Sequence, residues 1–309
     1  MTPKIYFIIV TYNAMKWAER CFTSLRHSSI PVHCIVIDNG SNDNTQEYIR
    51  TNFPEVDLIQ SPENLGFGKA NNIGIEKAYK EGADFFYLMN QDAWIYSNTI
   101  EKLLDVYNSY DDQKEIGIIS PMQIDGSEKY LDIFLDKYIA HNCEKTRLIS
   151  DLYFQTVKPF YEIKFINAAH WLLSKHTIET IGGFNPYFFH YGEDVEYTNR
   201  ILFHKKKTLL IPGSKAVHDG KQFLTKIDYN KYPNLSVETK IINPNLDNAL
   251  YLEKKSLKQS ILKNIVTGKF DNYKKLSSKY KKISNEEKQL IEIRNKVIKA
   301  GPTFLNLDN

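Results

Sequence analysis

Cysteine is scarce in this chain. Three residues, Cys21, Cys34 and Cys143, lie far apart in a sequence of 309 and form no CxxC pair. An odd, scattered set of this kind excludes a disulfide framework and a zinc site, and reads as reduced thiols packed in an intracellular protein. Long hydrophobic runs are also missing. The apolar stretch Lys4–Val10 is far shorter than the ~20 residues a helix needs to cross a bilayer, and no signal-peptide cleavage pattern follows it. The expectation is therefore a cytoplasmic protein, with peripheral contact at the inner face of the cell membrane left open. Charge of one sign is not in excess, since the net charge is only +3. That balance lacks the basic surplus of a nucleic-acid binder, and 42% hydrophobic content is enough to bury a full core.

What is present is an alternation of short apolar runs with helical patterns. Residues 5–10 read as a buried parallel strand. A helix with Trp17, Cys21 and Leu25 on one face follows, then a strand from Val32 to Ile37 that ends at Asp38. The turn Asn39–Asp43 leads into a helix carrying Tyr48, Ile49 and Phe53. A short strand at 56–59, a helix at 66–81 closed by Gly82, and a strand at 84–89 complete the repeat. Further strands are expected near 116–120 and over 208–217. The pattern predicts an α/β fold, with a mostly parallel sheet covered by helices on both faces. Residues 123–163 are aromatic and irregular and carry no periodic signal. Residues 221–309 change to a basic, mainly helical pattern, in which Leu246, Leu250, Leu257, Ile261 and Ile265 share helical spacing. Ser284-Asn285-Glu286-Glu287 has the form of a capping box. The division expected is a domain at 1–220 and an extension at 221–309.

Ligands of such sheets gather outside the carboxyl ends of the strands. Three polar clusters stand there: Thr11-Tyr12-Asn13, Asp38-Asn39 and Asn90-Gln91-Asp92. A carboxylate at the end of an apolar strand needs donors. Asp38 either accepts the ring N–H of a nucleobase or caps the turn at 41–45. Asp92 suits a hard divalent cation shared with diphosphate oxygens, or an ordinary turn. The segment Asn64–Gly74, with Gly66, Lys69 and Asn71, offers backbone N–H groups and a lysine to phosphate, although close helix packing accounts for Gly74 equally well.

The densest cluster is Ile181–Asp194, in which the glycine pair Gly182-Gly183, a third glycine at 192, five aromatics and the pair Glu193-Asp194 lead into a helix. An aspartate at a pocket edge can take a proton from an attacking hydroxyl. An acidic first helical turn pairing with Arg200 or Lys205 is the alternative. Tyr191 and Trp171 are candidates to line a sugar site, Trp171 being equally suited to core packing. His218, at the end of the last strand pattern, is a candidate metal ligand or phosphate contact, or a structural histidine. The lysines between 254 and 282 either solvate a helix face or meet anionic lipid.

Taken in order, Ile8–Asn13, Val36–Asp43, Asn64–Gly74, Leu88–Asp92 and Gly182–Arg200 resemble the inverting glycosyltransferases of family 2, most of all a rhamnosyltransferase-like branch. The resemblance covers about residues 4–220. It implies the GT-A fold, a nucleoside-diphosphate sugar as donor, a divalent metal (Mn²⁺ or Mg²⁺), and a glycan or lipid-linked acceptor in bacterial surface polysaccharide synthesis. Nucleic acid is not an expected partner, whereas membrane contact or homo-oligomerisation through the C-terminal helices is. By position, Thr11, Tyr12, Asn13, Asp38, Asn39, Gly66, Lys69, Asn71, Asn90 and Gln91 would hold the donor. Asp92 and His218 would meet the metal or the diphosphate. Asp194 would be the base, with Glu193 positioning a substrate. The chain departs from the family pattern at Asn90, which replaces the first carboxylate of an acidic triplet, and at Asp38-Asn39, which replaces an Asp-Asp pair. A non-catalytic sugar-binding module and a sugar nucleotidyltransferase are the alternatives. The intact Glu193-Asp194 pair argues against the first, and the absence of a glycine- and arginine-rich loop after the first strand argues against the second.

Overall fold

The structure is a computed structural model that describes residues 2–142, 146–220 and 235–307. The chain divides into two compact units, residues 1–223 with 301–309, and residues 224–300.

The first unit opens with β1 (Ile5–Thr11), α1 (Ala18–Arg26), β2 (His33–Asp38), α2 (Thr45–Asn52), β3 (Asp57–Gln60), α3 (Phe67–Lys80) and β4 (Phe85–Asn90). It continues with β5 (Ala93–Ile95), α4 (Thr99–Ser109), β6 (Ile116–Ile124), α5 (Ile133–Asn142) and α6 (Leu148–Phe154). The last elements are β7 (Tyr161–Ile163), β8 (His170–Ser174), α7 (Lys175–Ile181), α8 (Glu193–Phe203) and β9 (Lys207–His218). The nine strands form one sheet in the order β3-β2-β1-β4-β8-β6-β9-β5, with β7 on β9. The pairings from β3 to β4 are all parallel. The second half is mixed, because β8 runs antiparallel to both β4 and β6 while β6 and β9 are parallel.

Strand side chains alternate between faces, so each strand feeds two cores. Ile8, Ile35, Ile37, Phe86 and Leu88 pack with Ala70, Ile75 and Ala78 of α3, and with Ile178 and Tyr197. Ile5, Phe7, Ile9, Val36, Tyr87 and Met89 pack with Cys21 of α1, Ile49 of α2 and Ile100 of α4. Both faces of the sheet are thereby covered, which gives a GT-A-like α/β architecture. Cys21 and Cys34 are buried free thiols, and burial pushes both up, away from the reactive thiolate. Cys143 lies outside the described residues.

Residues 301–307 return to the first unit. Gly301 N–H donates to Thr180 O, and Gly183 N–H donates to Thr303 O. The second unit comprises α9 (Leu235–Ile242), α10 (Ala249–Val266), α11 (Phe270–Asn285) and α12 (Glu287–Val297). Residues 221–234 of the expected extension lie outside the described residues. The capping box does not form at Ser284, because α11 runs on to Asn285 and Glu286 caps α12 without a side-chain bond. No described helix is long and apolar enough to cross a membrane.

Candidate functional site

The carboxyl ends of the parallel strands bring the polar clusters to one edge of the sheet. In the β1–β2 ladder Thr11 stands opposite Asp38, and in the β1–β4 ladder Val10 stands opposite Asn90. Beyond β4 the chain turns into β5, whose Ala93 pairs with His218 of β9. Thr11, Asp38, Asn90, Asp92 and His218 are thus neighbours by register, although 207 positions of sequence separate the first from the last.

Asp38 is fully buried. Its carboxylate accepts from Thr11 Oγ1 at 3.0 Å, Ser41 N at 3.0 Å, Ser41 Oγ at 2.6 Å and Gln46 Nε2 at 2.6 Å. Four donors use the whole acceptor capacity of a carboxylate, so the turn-capping role is realised in this conformation. Asn39 is buried as well. It donates to Asn64 Oδ1 and Gly66 O and accepts from Leu65 N, which staples the glycine-rich segment to the end of β2. Gln91 exchanges bonds with the Tyr12 backbone, accepting from its N–H at 2.6 Å and donating to its carbonyl at 3.2 Å. The Tyr12 ring stays exposed. Asn13 lies at φ 53 and accepts from Asn42 N, tying the loops after β1 and β2 together.

Two residues of the glycine-rich segment have packing roles where phosphate contacts were expected. Gly66 has φ +81, and a Cβ there would collide with the carbonyl oxygen of Phe189. The neighbouring Phe67 N–H donates to that same oxygen at 3.1 Å. Asn71 is buried, and its amide donates to Phe67 O within the first turn of α3. Lys69 is exposed at this helix start.

His218 is buried between acids. Its Nδ1 lies 3.1 Å from Asp132 Oδ2, and its Nε2 lies 3.6 Å from Asp92 Oδ1. Burial pushes the imidazole down, but the hydrogen bond to Asp132 and the charges of Asp92, Asp132 and Asp219 outweigh it and hold the group above its ordinary value. Asp132 engages Nδ1, so a metal or phosphate contact of His218 falls to Nε2, which faces Asp92 and Asn90. Asp132 was missed in the sequence. It is buried, it caps the first turn of α5 through Phe134 N and Leu135 N, and its spacing from the other acids carries no signal.

The residues fit a cation shared with a ligand better than a protein cage. Among the described residues no group of three His, Cys, Asp or Glu side chains is arranged so that it could hold a metal ion by itself. Asn90 Oδ1, however, is buried without a hydrogen-bond partner, and Asn90 and Asp92 both meet His218 Nε2. An amide oxygen beside a carboxylate is a hard donor pair suited to Mg²⁺ or Mn²⁺ with diphosphate and water completing the shell.

On the other side of the Gly66–Phe189 contact, the chain turns at Tyr191 (φ 67) and Gly192 (φ 98) and enters α8 at Glu193-Asp194. Glu193 is buried, and its Oε2 has no hydrogen-bond partner. Desolvation, then the charge of Asp194, raises its carboxyl to about 8. Asp194 is half-buried, and desolvation raises it to about 6 against the opposing hydrogen bond from Val195 N at 2.7 Å. Phe189 and Tyr191 are exposed beside the pair, whereas Phe184 and Phe188 belong to the core. Trp171 belongs there too. It is fully buried, stacks on Phe184 at 5.9 Å and lies tilted against Tyr197 of α8 at 5.3 Å, so the core-packing alternative is the one realised and the ring is closed off from any sugar. Arg200 pairs with Glu196 rather than with the acidic pair.

Comparison with known proteins bears on the family and the fold. The profile of glycosyl transferase family 2 matches residues 6–182. The dTDP-rhamnosyl transferase RfbF of Shigella flexneri is 27% identical over 71% of this chain and 70% of its own length. The N-acetylglucosaminyl-diphospho-decaprenol L-rhamnosyltransferase of Mycobacterium tuberculosis is 24% identical over 71% and 76%. Among solved structures, S. aureus TarS 1–349 in complex with UDP shares the fold at a TM-score of 0.54 and 13% identity, and the match covers 79% of this chain and 66% of that one.

Proposed function

The chain belongs to glycosyl transferase family 2 and is a glycosyltransferase, and on that premise we propose that it moves a deoxyhexose, rhamnose in the first instance, from a nucleoside diphosphate to an acceptor hydroxyl with inversion. The observation that carries this reading is the Glu193-Asp194 pair, two adjacent carboxyls raised to different values where α8 meets the glycine-rich segment. Titratable neighbours whose environments push them apart mark acid and base roles.

In the proposed reaction the acceptor hydroxyl gives its proton to Asp194 while its oxygen attacks the anomeric carbon. The bond to the diphosphate oxygen breaks on the opposite face, so one displacement inverts the configuration. A carboxylate raised to about 6 is a stronger base than an ordinary aspartate and is still ionised near neutral pH. Glu193, raised to about 8, keeps its proton at that pH and donates a hydrogen bond to substrate. The nucleobase stacks on the exposed ring of Tyr12, and Asp38 accepts its ring N–H once Gln46 releases the carboxylate. Lys69 and His218 offset the diphosphate charge, and the acids around His218 favour its protonated form. Asp92 and Asn90 would hold a divalent cation, which supplies Lewis-acid neutralisation of the leaving group when bound.

The names of the relatives support dTDP-rhamnose as donor and a lipid-diphosphate-linked saccharide as acceptor in bacterial surface polysaccharide synthesis. Such an acceptor supports work at the cytoplasmic face of a membrane. The test is product stereochemistry. With dTDP-rhamnose and an N-acetylglucosaminyl-diphospho-lipid acceptor, NMR of the product is expected to show the anomeric configuration opposite to that of the donor. A product of retained configuration, or pyrophosphate release from a nucleoside triphosphate, overturns the proposal.

A further inference from the structure

The second unit exposes apolar side chains at one end of a helical hairpin. Helices α10 and α11 are joined by the turn Thr267–Lys269, and Lys254 and Lys258 of one helix lie over the Tyr280 ring of the other. Every residue from 265 to 272, at the tip, is exposed. Leu262, Ile265 and Val266 share one face of α10 at helical spacing and are 62%, 46% and 86% exposed, while Phe270 opens α11 at 63%. Apolar side chains this exposed, grouped at one tip, mark an interaction site.

The charge around the patch identifies the partner. Between 258 and 275 there are five lysines, against the single acidic residue Asp271. Three lysines away from the tip sit in ion pairs, Lys240 with Glu253, Lys254 with Glu287 and Lys282 with Glu238. Lys263, Lys269, Lys274 and Lys275 have no carboxylate partner among the described residues. Apolar residues flanked by uncompensated lysines match a surface that is apolar inside and anionic at its face. A second copy is a poorer match, because a two-fold contact through this tip would bring like charges together.

We propose that the tip of the α10–α11 hairpin docks on an anionic lipid bilayer, with Leu262, Ile265, Val266 and Phe270 entering the headgroup region and the four lysines meeting lipid phosphates. The anchor rests on the lipid-linked acceptor reading for its purpose only, since binding is read without donor or acceptor. Full-length protein is sedimented with phosphatidylcholine vesicles containing about 30% phosphatidylglycerol, and with pure phosphatidylcholine vesicles. Binding is expected to the anionic vesicles alone and to weaken with salt. Each Lys→Gln change at 263, 269, 274 or 275 lowers partitioning by about fivefold. Val266→Glu with Phe270→Glu abolishes binding while leaving the far-UV dichroism unchanged. Phe270→Trp gives a tip fluorophore whose emission shifts to the blue on anionic vesicles. Absence of binding to anionic vesicles overturns the proposal. So does full binding by the double glutamate variant, or a concentration-dependent dimer that this variant dissolves. A protein that transfers sugar to a detergent-solubilised acceptor yet ignores vesicles overturns the anchor and leaves the transferase reading intact.

Discussion

Arg200 and Glu196 form an ion pair closed to solvent, with Nε 2.9 Å from Oε1, one helical turn beyond the carboxyls of the site. The rest of the guanidinium donates to Ile181 O at 2.5 Å and Gly183 O at 2.6 Å and packs against Tyr197 and Phe304. The pair therefore fixes α8 to the turn that precedes it. Arg200→Met is expected to cost about 3–5 kcal/mol, because it strands a buried carboxylate. Adding Glu196→Leu should recover much of that loss, as read from urea unfolding midpoints.

The Gly66–Phe189 contact supplies a prediction with an internal control. Gly66→Ala places a Cβ against a carbonyl oxygen at a positive φ, and should lower stability by more than about 1 kcal/mol and raise the donor KM. Gly213 has no atom within 4 Å of a Cβ and no positive φ, so Gly213→Ala should leave both unchanged.

The carboxyl pair makes folding depend on pH. Glu193 has a folded value raised from 4.5 to about 8, so its contribution is full below 4.5 and is lost as pH climbs through about 8. Glu193→Gln removes that loss. Its melting temperature should match the wild type at pH 5 and exceed it at pH 9, measured by scanning calorimetry.

Asp132 holds the His218 ring by its Nδ1. Asp132→Asn should lower the imidazole pKa, followed by NMR, and weaken nucleoside diphosphate binding by about tenfold or more, the worth of a hydrogen bond to a charged group.

Much of the sheet edge was legible because its parts obey local rules. Continuously buried apolar runs end at Thr11, Asp38 and Asn90, and a parallel ladder brings such ends together whatever the intervening length. Glu193-Asp194 announced itself through glycines, aromatics and a helix start. The second half of the sheet was less legible, since β8 inserts antiparallel between β4 and β6 and its run reads the same in either direction. Trp171 shows the limit for single residues. A strand residue alternates faces, but which face is the core depends on Phe184 and Tyr197, remote in sequence. Asp132 reaches His218 across 86 positions, and Gly301–Leu307 return to the first unit through backbone bonds that any residues could make.

The most direct measurement is the transfer rate of Asp194→Asn beside its affinity for nucleoside diphosphate. With Asp194 as the base, kcat falls by about 10²–10⁴ while nucleotide affinity stays within a few-fold of wild type, and the wild-type rate declines as pH drops below about 6. Turnover at the wild-type rate in Asp194→Asn, with the same pH profile, would contradict the account.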